Sequence, residues 1–174
     1  KFCRRYNFFQ DLPFSQGDYY KKINKIFPNS KYILTIRDSD KWFKSLCNFH
    51  LIYFRNMGFN FKDITEVKKE HLKKFDWIKE GYYYDYTKNF WISEIKDNQL
   101  IYNWNLLYNR DHYINIYEKR NKEIEDYFQK KKEDLLIFNV SENSNILKIL
   151  NFLNMNKDLN FDLPHELKSN YDYS

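Results

Sequence analysis

The sequence predicts an α/β fold with a parallel sheet, and three observations predict it. Two short runs, residues 31–36 (KYILTI) and 135–140 (LLIFNV), are almost continuously apolar with β-branched residues, as expected of strands buried on both faces. Segments of helical periodicity separate and follow them. Strand alternating with helix is the order that builds a parallel sheet rather than a sandwich or a bundle. A length of 174 residues suits one domain with a real core.

In chain order, residues 6–9 (YNFF) give a weaker strand that ends at Gln10-Asp11-Leu12-Pro13. Residues 18–27 form an amphipathic helix with Tyr19, Ile23, Ile26 and Phe27 on one face. The turn Pro28-Asn29-Ser30 then leads into the strand 31–36. Asp38 or Ser39 caps a helix over about residues 40–55, which points Trp42, Leu46 and Phe49 inward. Residues 63–79 read as a more polar helix. Residues 98–130 read as one long or broken helix whose stripe is Tyr113, Ile116, Tyr117, Ile124, Tyr127 and Phe128, a core-packing pattern. After the strand 135–140, Ser141 or Asn143 starts a last helix over residues 146–153. There is no internal repeat and no segment biased enough to be a linker.

Hydrophobic residues make up 43% and charged residues 30%, which fits neither a disordered chain nor a membrane protein. Aromatics reach 21%, Gly and Pro occur three times each, and alanine is absent. An AT-rich coding sequence explains this skew, since codons for Ala, Gly and Pro are GC-rich. The net charge of +5 can attract an anionic ligand. Acidic residues are interleaved with basic ones throughout, so a basic, aromatic-rich nucleic-acid module is the weaker reading. No apolar run approaches the roughly 20 residues of a transmembrane helix, and the first residues lead into no signal-peptide core. Cys3 and Cys47 read as unpaired thiols of a reducing compartment, hence a cytoplasmic expectation. His50, His71, His112 and His165 are too far apart for metal-ligand spacing, and no metal is expected.

Ligands of open α/β sheets bind beyond the carboxyl ends of the strands. Three polar clusters fall there: Gln10-Asp11, Arg37-Asp38-Ser39, and residues 139–143. Arg37 leaves a strand and stands at the mouth of the next helix, where backbone N–H groups and the helix dipole favour an anion. Its planar fork suits a phosphate. Ser45, eight residues on, offers a hydroxyl to the same anion. The competing reading pairs Arg37 with Asp38 or Asp40 and leaves Ser45 facing solvent. Asp111-His112 either faces the cleft with a catalytic role or is an ordinary surface pair, and the surface reading is the better expectation. The run Tyr82-Tyr83-Tyr84-Asp85-Tyr86, with Trp77 and Trp91 nearby, either packs in the fold or stacks on an acceptor, and packing is the better expectation.

Residues 27–45, FPNSKYILTIRDSDKWFKS, resemble the "fP-x-aK-x-ILt-x-Rd-x-x-x-W-x-x-S" segment of sulfotransferases that use 3′-phosphoadenosine 5′-phosphosulfate (PAPS). Residues 113–136 are similar to that family's "Y-x-x-H/R-N" helix and following strand, residues 146–153 to its "L-x-x-FLg" helix, and Phe161-Asp162-Leu163-Pro164-His165 to its closing "fPh". The resemblance implies a three-layer α/β/α, P-loop NTPase-like fold. It implies a single domain over residues 1–174, with residues 55–100 as a variable, acceptor-side insertion. It implies sulfuryl transfer from PAPS to a hydroxyl or amine of a carbohydrate or small molecule, without a metal. Arg37 and Ser45 would anchor the donor's 3′-phosphate. Asp11 stands where cytosolic members carry a His-Leu-Pro general base, and a carboxylate with a raised pKa can do that work; the alternative is that Asp11 only fixes the turn before Pro13. The family's glycine loop for the 5′-phosphosulfate has no counterpart, because Gly17, Gly58 and Gly81 are isolated and none opens a helix behind a strand. The expectation is that the loop lies upstream of Lys1; the alternative is a family remnant without catalysis.

Overall fold

The computed structural model describes residues 7–10, 15–75, 81–140 and 146–155. Its elements in order are α1 (Tyr19–Ile26), β1 (Tyr32–Ile36), α2 (Ser39–Asn56), a 3-10 turn (Ile64–Glu66), α3 (Lys69–Lys73), α4 (Tyr82–Phe90), β2 (Ser93–Lys96), β3 (Gln99–Tyr102), a second 3-10 turn (Trp104–Leu106), α5 (Arg110–Phe128), a third (Lys132–Asp134), β4 (Leu135–Asn139) and α6 (Leu147–Phe152). The chain divides into two compact units: described residues up to Ile36 with those from Glu123 onward, and Arg37–Lys122.

In the first unit, β1 and β4 pair in parallel, Tyr32 beside Leu135 through Ile36 beside Asn139. The fold is therefore mixed α/β with a small parallel sheet, as the strand–helix order predicts. Lys31 ties the strand entrances: its Nζ meets the Asp134 carboxylate at 3.1 Å and donates to the Glu133 carbonyl at 2.6 Å. The expected burial on both faces is only partial. Tyr32, Leu34 and Leu135 pack against Ile124 and Phe128, and Phe138 is buried, but Thr35 is exposed and Ile137 is 41% exposed. The cover from α1 and the end of α5 reaches the first half of the strands and thins beyond it.

α1 forms where expected but buries a different face. Tyr20 and Asn24 are inside, whereas Tyr19 and Ile26, both expected inside, are exposed, Ile26 by 68%. The helix turns because Tyr20 finds an edge-to-face partner in Tyr127 at 5.3 Å. The Asn24 carbonyl oxygen accepts from the Tyr127 hydroxyl at 3.4 Å and Lys131 Nζ at 3.3 Å. A carbonyl oxygen with two donors is buried at less cost than a bare one, although the Asn24 Nδ2 is buried with no partner among the described residues, so apolar periodicity misjudges this helix. Residues 7–10 are irregular rather than a strand. Tyr6, Cys3 and Asp11 lie outside the described residues, as do Ser141 and Asn143, the expected start of α6.

In the second unit, Asp38 caps α2, its Oδ1 accepting the Lys41 N–H at 2.9 Å. The buried residues of α2 are Cys47, His50, Leu51 and Phe54, while Trp42 and Leu46 are partly buried and Phe49 is 39% exposed. The helix ends in a Schellman motif: Phe59 N–H bonds the Phe54 carbonyl at 3.0 Å and Gly58 N–H the Arg55 carbonyl at 2.9 Å. Phe54 and Phe59 rings meet edge-on at 5.9 Å across it. Gly58 adopts φ +87°, a conformation that costs a residue with a Cβ about 1–2 kcal/mol. A Cβ there would touch nothing within 4 Å. Gly58→Ala is therefore expected to lower stability by about 1 kcal/mol through backbone strain alone, read from the urea midpoint of the purified chain; an unchanged midpoint would contradict this account of the helix end.

Residues 63–79 are not one helix. Asp63 caps the 3-10 turn through Thr65 N–H at 2.9 Å, Val67 is extended, and among the described residues of this stretch only the five of α3 are α-helical. Residues 76–80, including Trp77, lie outside the described residues. Residues 98–109 are not α-helical either. β2 and β3 form an antiparallel hairpin, Ser93 beside Tyr102 through Lys96 beside Gln99. Its turn residues Asp97 and Asn98 have φ of 52° and 60°, the type I′ geometry that Asp and Asn tolerate best among residues with a Cβ. The aromatic excess builds this unit's core. Phe54, Phe75, Tyr83 and Tyr113 are fully buried, with Tyr53 stacked on Phe75 at 4.3 Å and Trp91 on Tyr113 at 4.5 Å. Tyr83, from the tyrosine run, packs inside as expected. Residues 55–100 thus contribute Ile64, Leu72, Phe75 and Tyr83 to a core rather than only a surface excursion.

Candidate functional site

Arg37 follows β1 directly and is exposed, as is Ser45 on α2. The two carboxylates that would compete for the Arg37 guanidinium are engaged otherwise. Asp40 pairs with Arg110, and Asp38 caps α2. Among the described residues no carboxylate forms an ion pair with Arg37. An exposed guanidinium left available at the first turn of an 18-residue helix, with an exposed hydroxyl on the same helix, suits an anion. Asp11 lies outside the described residues.

The turn is held from α5. Tyr117 Oη accepts the Arg37 N–H at 2.9 Å and donates to the Arg37 carbonyl at 3.3 Å, with its ring stacked on Trp42 at 4.2 Å and 11°. Ser39 Oγ donates to Glu118 Oε1 at 2.6 Å. These ties escape sequence reasoning, which assigns Tyr117 to the core stripe.

Behind α2 lies a buried polar cluster. His50, 2% exposed, has Tyr83 Oη at 3.0 Å from Nε2 and Tyr108 Oη at 3.1 Å from Nδ1. Burial holds the imidazole far below its usual pKa, at about 3, and pushes both phenols well up. One ring nitrogen donates and the other accepts, so a neutral imidazole satisfies both hydroxyls. Burial also pushes the Cys47 thiol up to about 12, which keeps it a packed thiol and not a nucleophile. The signal for His50 was a lone histidine on an apolar helix stripe. Asp111 is exposed, whereas His112 is partly buried with Nε2 2.6 Å from the Trp91 carbonyl. Among the described residues no group of three His, Cys, Asp or Glu side chains could hold a metal ion, and no helix is long and apolar enough to cross a membrane.

A groove of about 830 Å³ runs beside α2, with Phe43, Trp104 and Tyr108 as apolar wall and Lys68, Asn105 and Arg110 among its polar lining. Arg110 also holds Asp40, three residues beyond Arg37, so the groove rim reaches the start of α2.

The parallel pair of strands and the helices around them define an α/β protein, with Arg37 standing exposed just before the capped start of α2. The model of the sulfotransferase domain family matches residues 1–170, and the chain belongs to that family. No curated protein and no solved structure matches it. Membership supports a sulfotransferase function.

Proposed function

We propose that the chain transfers a sulfuryl group from PAPS to a hydroxyl or amine of a carbohydrate or other small acceptor. The observation that carries the reading is Arg37: a guanidinium at the start of α2 whose carboxylate neighbours are committed elsewhere. With Ser45 it would bind the donor's 3′-phosphate by charge-assisted hydrogen bonds. Asp11 would accept the proton of the acceptor as its oxygen or nitrogen attacks sulfur. The bond from sulfur to the bridging oxygen breaks in line, releasing 3′-phosphoadenosine 5′-phosphate and a sulfate ester or sulfamate.

The acceptor would sit in the groove beside α2, where Trp104 suits a sugar or aromatic face and Asn105 and Lys68 its polar groups. Residues 63–70 of that lining come from the segment 55–100, which supports its reading as acceptor-side. The strand–helix order supports completion of the fold as a three-layer, P-loop NTPase-like domain over residues 1–174. The unpaired, buried Cys47 suits a cytoplasmic setting.

Calorimetric titration with 3′-phosphoadenosine 5′-phosphate and with adenosine 5′-monophosphate tests the donor assignment. We expect at least tenfold tighter binding of the 3′-phosphorylated ligand, about 1.4 kcal/mol or more. Equal affinities overturn it. Discrimination without transfer from PAPS to any of a panel of sugar and phenol acceptors replaces the enzyme by a donor-binding remnant.

A further inference from the structure

We infer that Tyr117 is a positioning residue for the donor's 3′-phosphate, acting through the backbone of Arg37; the inference rests on the donor reading above. The peptide groups on both sides of the Arg37 Cα are held by one phenolic oxygen, which accepts from the N–H at 2.9 Å and donates to the carbonyl at 3.3 Å. An arginine with exposed side chain has four rotatable bonds and no packing to aim it. Its starting direction is therefore set by the backbone of the turn, and that backbone is fixed by Tyr117. The phenol is itself fixed, because its ring lies 4.2 Å from Trp42 at 11°, and Trp42 is tilted against Trp91 at 5.9 Å. A second tie from the adjacent position, Ser39 Oγ to Glu118 Oε1 at 2.6 Å, holds the next stretch of the turn to the same part of α5. Arg110, two turns earlier on α5, holds Asp40. Taken together, α5 shapes the turn from Arg37 to Asp40 and pairs Asp40 with Arg110, while Asp38 caps α2.

Tyr117→Phe removes only the hydroxyl and keeps the stack. Loss of two backbone hydrogen bonds at the site lets the turn sample other directions, and the affinity of the full chain for 3′-phosphoadenosine 5′-phosphate is expected to fall about five- to tenfold. Affinity for adenosine 5′-monophosphate, which lacks the 3′-phosphate, should stay within about twofold, and the melting temperature close to wild type. In an Arg37→Ala background the same substitution should add no further loss, since the side chain it aims is gone. Wild-type affinity in Tyr117→Phe overturns the inference. So does an equal loss for both nucleotides, or a loss that persists undiminished without Arg37, because either marks general damage. Failure of wild type to discriminate the two nucleotides overturns the donor reading and this inference together; discrimination that Tyr117→Phe leaves intact overturns this inference alone.

Discussion

Stability of the second unit should fall steeply as pH drops from about 6.5 to 4, and His50→Gln should flatten that dependence. The imidazole is buried between Tyr83 and Tyr108 with a ring edge on Phe75 at 5.9 Å, and burial lowers its pKa from 6.5 to about 3. In the unfolded chain the same group titrates near its ordinary value, so between those values the unfolded state binds the extra proton. Stability therefore rises with pH across that window: it is fully present above about 6.5 and is lost as pH falls toward the folded value. The slope approaches about 1.4 kcal/mol per pH unit, and the whole effect is on the order of several kcal/mol, a large share of the roughly 5–15 kcal/mol that holds a domain together. Asp63 works in a lower window. Its carboxylate is held below its usual pKa by Thr65, so its contribution is lost only as pH falls beneath the ordinary carboxylate range. Urea midpoints at pH 7, 6, 5 and 4 separate the two. Glutamine keeps one donor and one acceptor for the tyrosines and cannot titrate, so the variant should be weaker than wild type at pH 7 by about 1–2 kcal/mol yet lose less on acidification. Parallel pH profiles for wild type and His50→Gln would remove His50 as the source.

How much of this was legible in the sequence follows from what each signal measures. The runs KYILTI and LLIFNV gave both strands of the parallel pair within a residue because a continuous apolar run between polar turns has few other homes. The stripe on α5 came out for the same reason, with Tyr113, Ile124 and Phe128 buried. Faces failed where polar groups carry their own partners. Asn24 and His50 are buried because Tyr127, Lys131, Tyr83 and Tyr108 meet them, and a partner far along the chain leaves no local trace. The hairpin 93–102 was missed because Asp97-Asn98 reads as helix-compatible polar sequence, while both residues adopt positive φ. At the candidate site, the arginine after the strand could be read from its position. The cap by Asp38 could be read as well, but the commitment of Asp40 could not, because Arg110 lies 70 residues away. Nor could Tyr117, which the helical period places in the core and the structure places on the Arg37 backbone.

Arg37→Ala should abolish most recognition of the 3′-phosphate while leaving the fold untouched. A guanidinium fork offers a phosphate two parallel charge-assisted bonds, and at about 1.5–3 kcal/mol for each bond to a charged group their loss weakens binding of 3′-phosphoadenosine 5′-phosphate about 100-fold or more. Arg37→Lys keeps the charge but presents a point rather than a fork, so it should recover part of the affinity and remain about tenfold weak. Ser45→Ala removes a single neutral donor and should cost about fivefold. The side chains of Arg37 and Ser45 are exposed, so none of these variants should move the melting temperature by more than a degree or two, surface changes being worth about 0.5 kcal/mol or less. Binding by wild type should weaken with added salt, because an exposed ion pair is screened over about 8–10 Å, and that salt dependence should flatten in Arg37→Ala. Adenosine 5′-monophosphate serves as internal control: its affinity should be the same in all four proteins. An Arg37→Ala chain that still separates the two nucleotides as wild type does would move the 3′-phosphate site elsewhere in the chain and leave the arginine at the strand end without the role its freedom from carboxylates suggests.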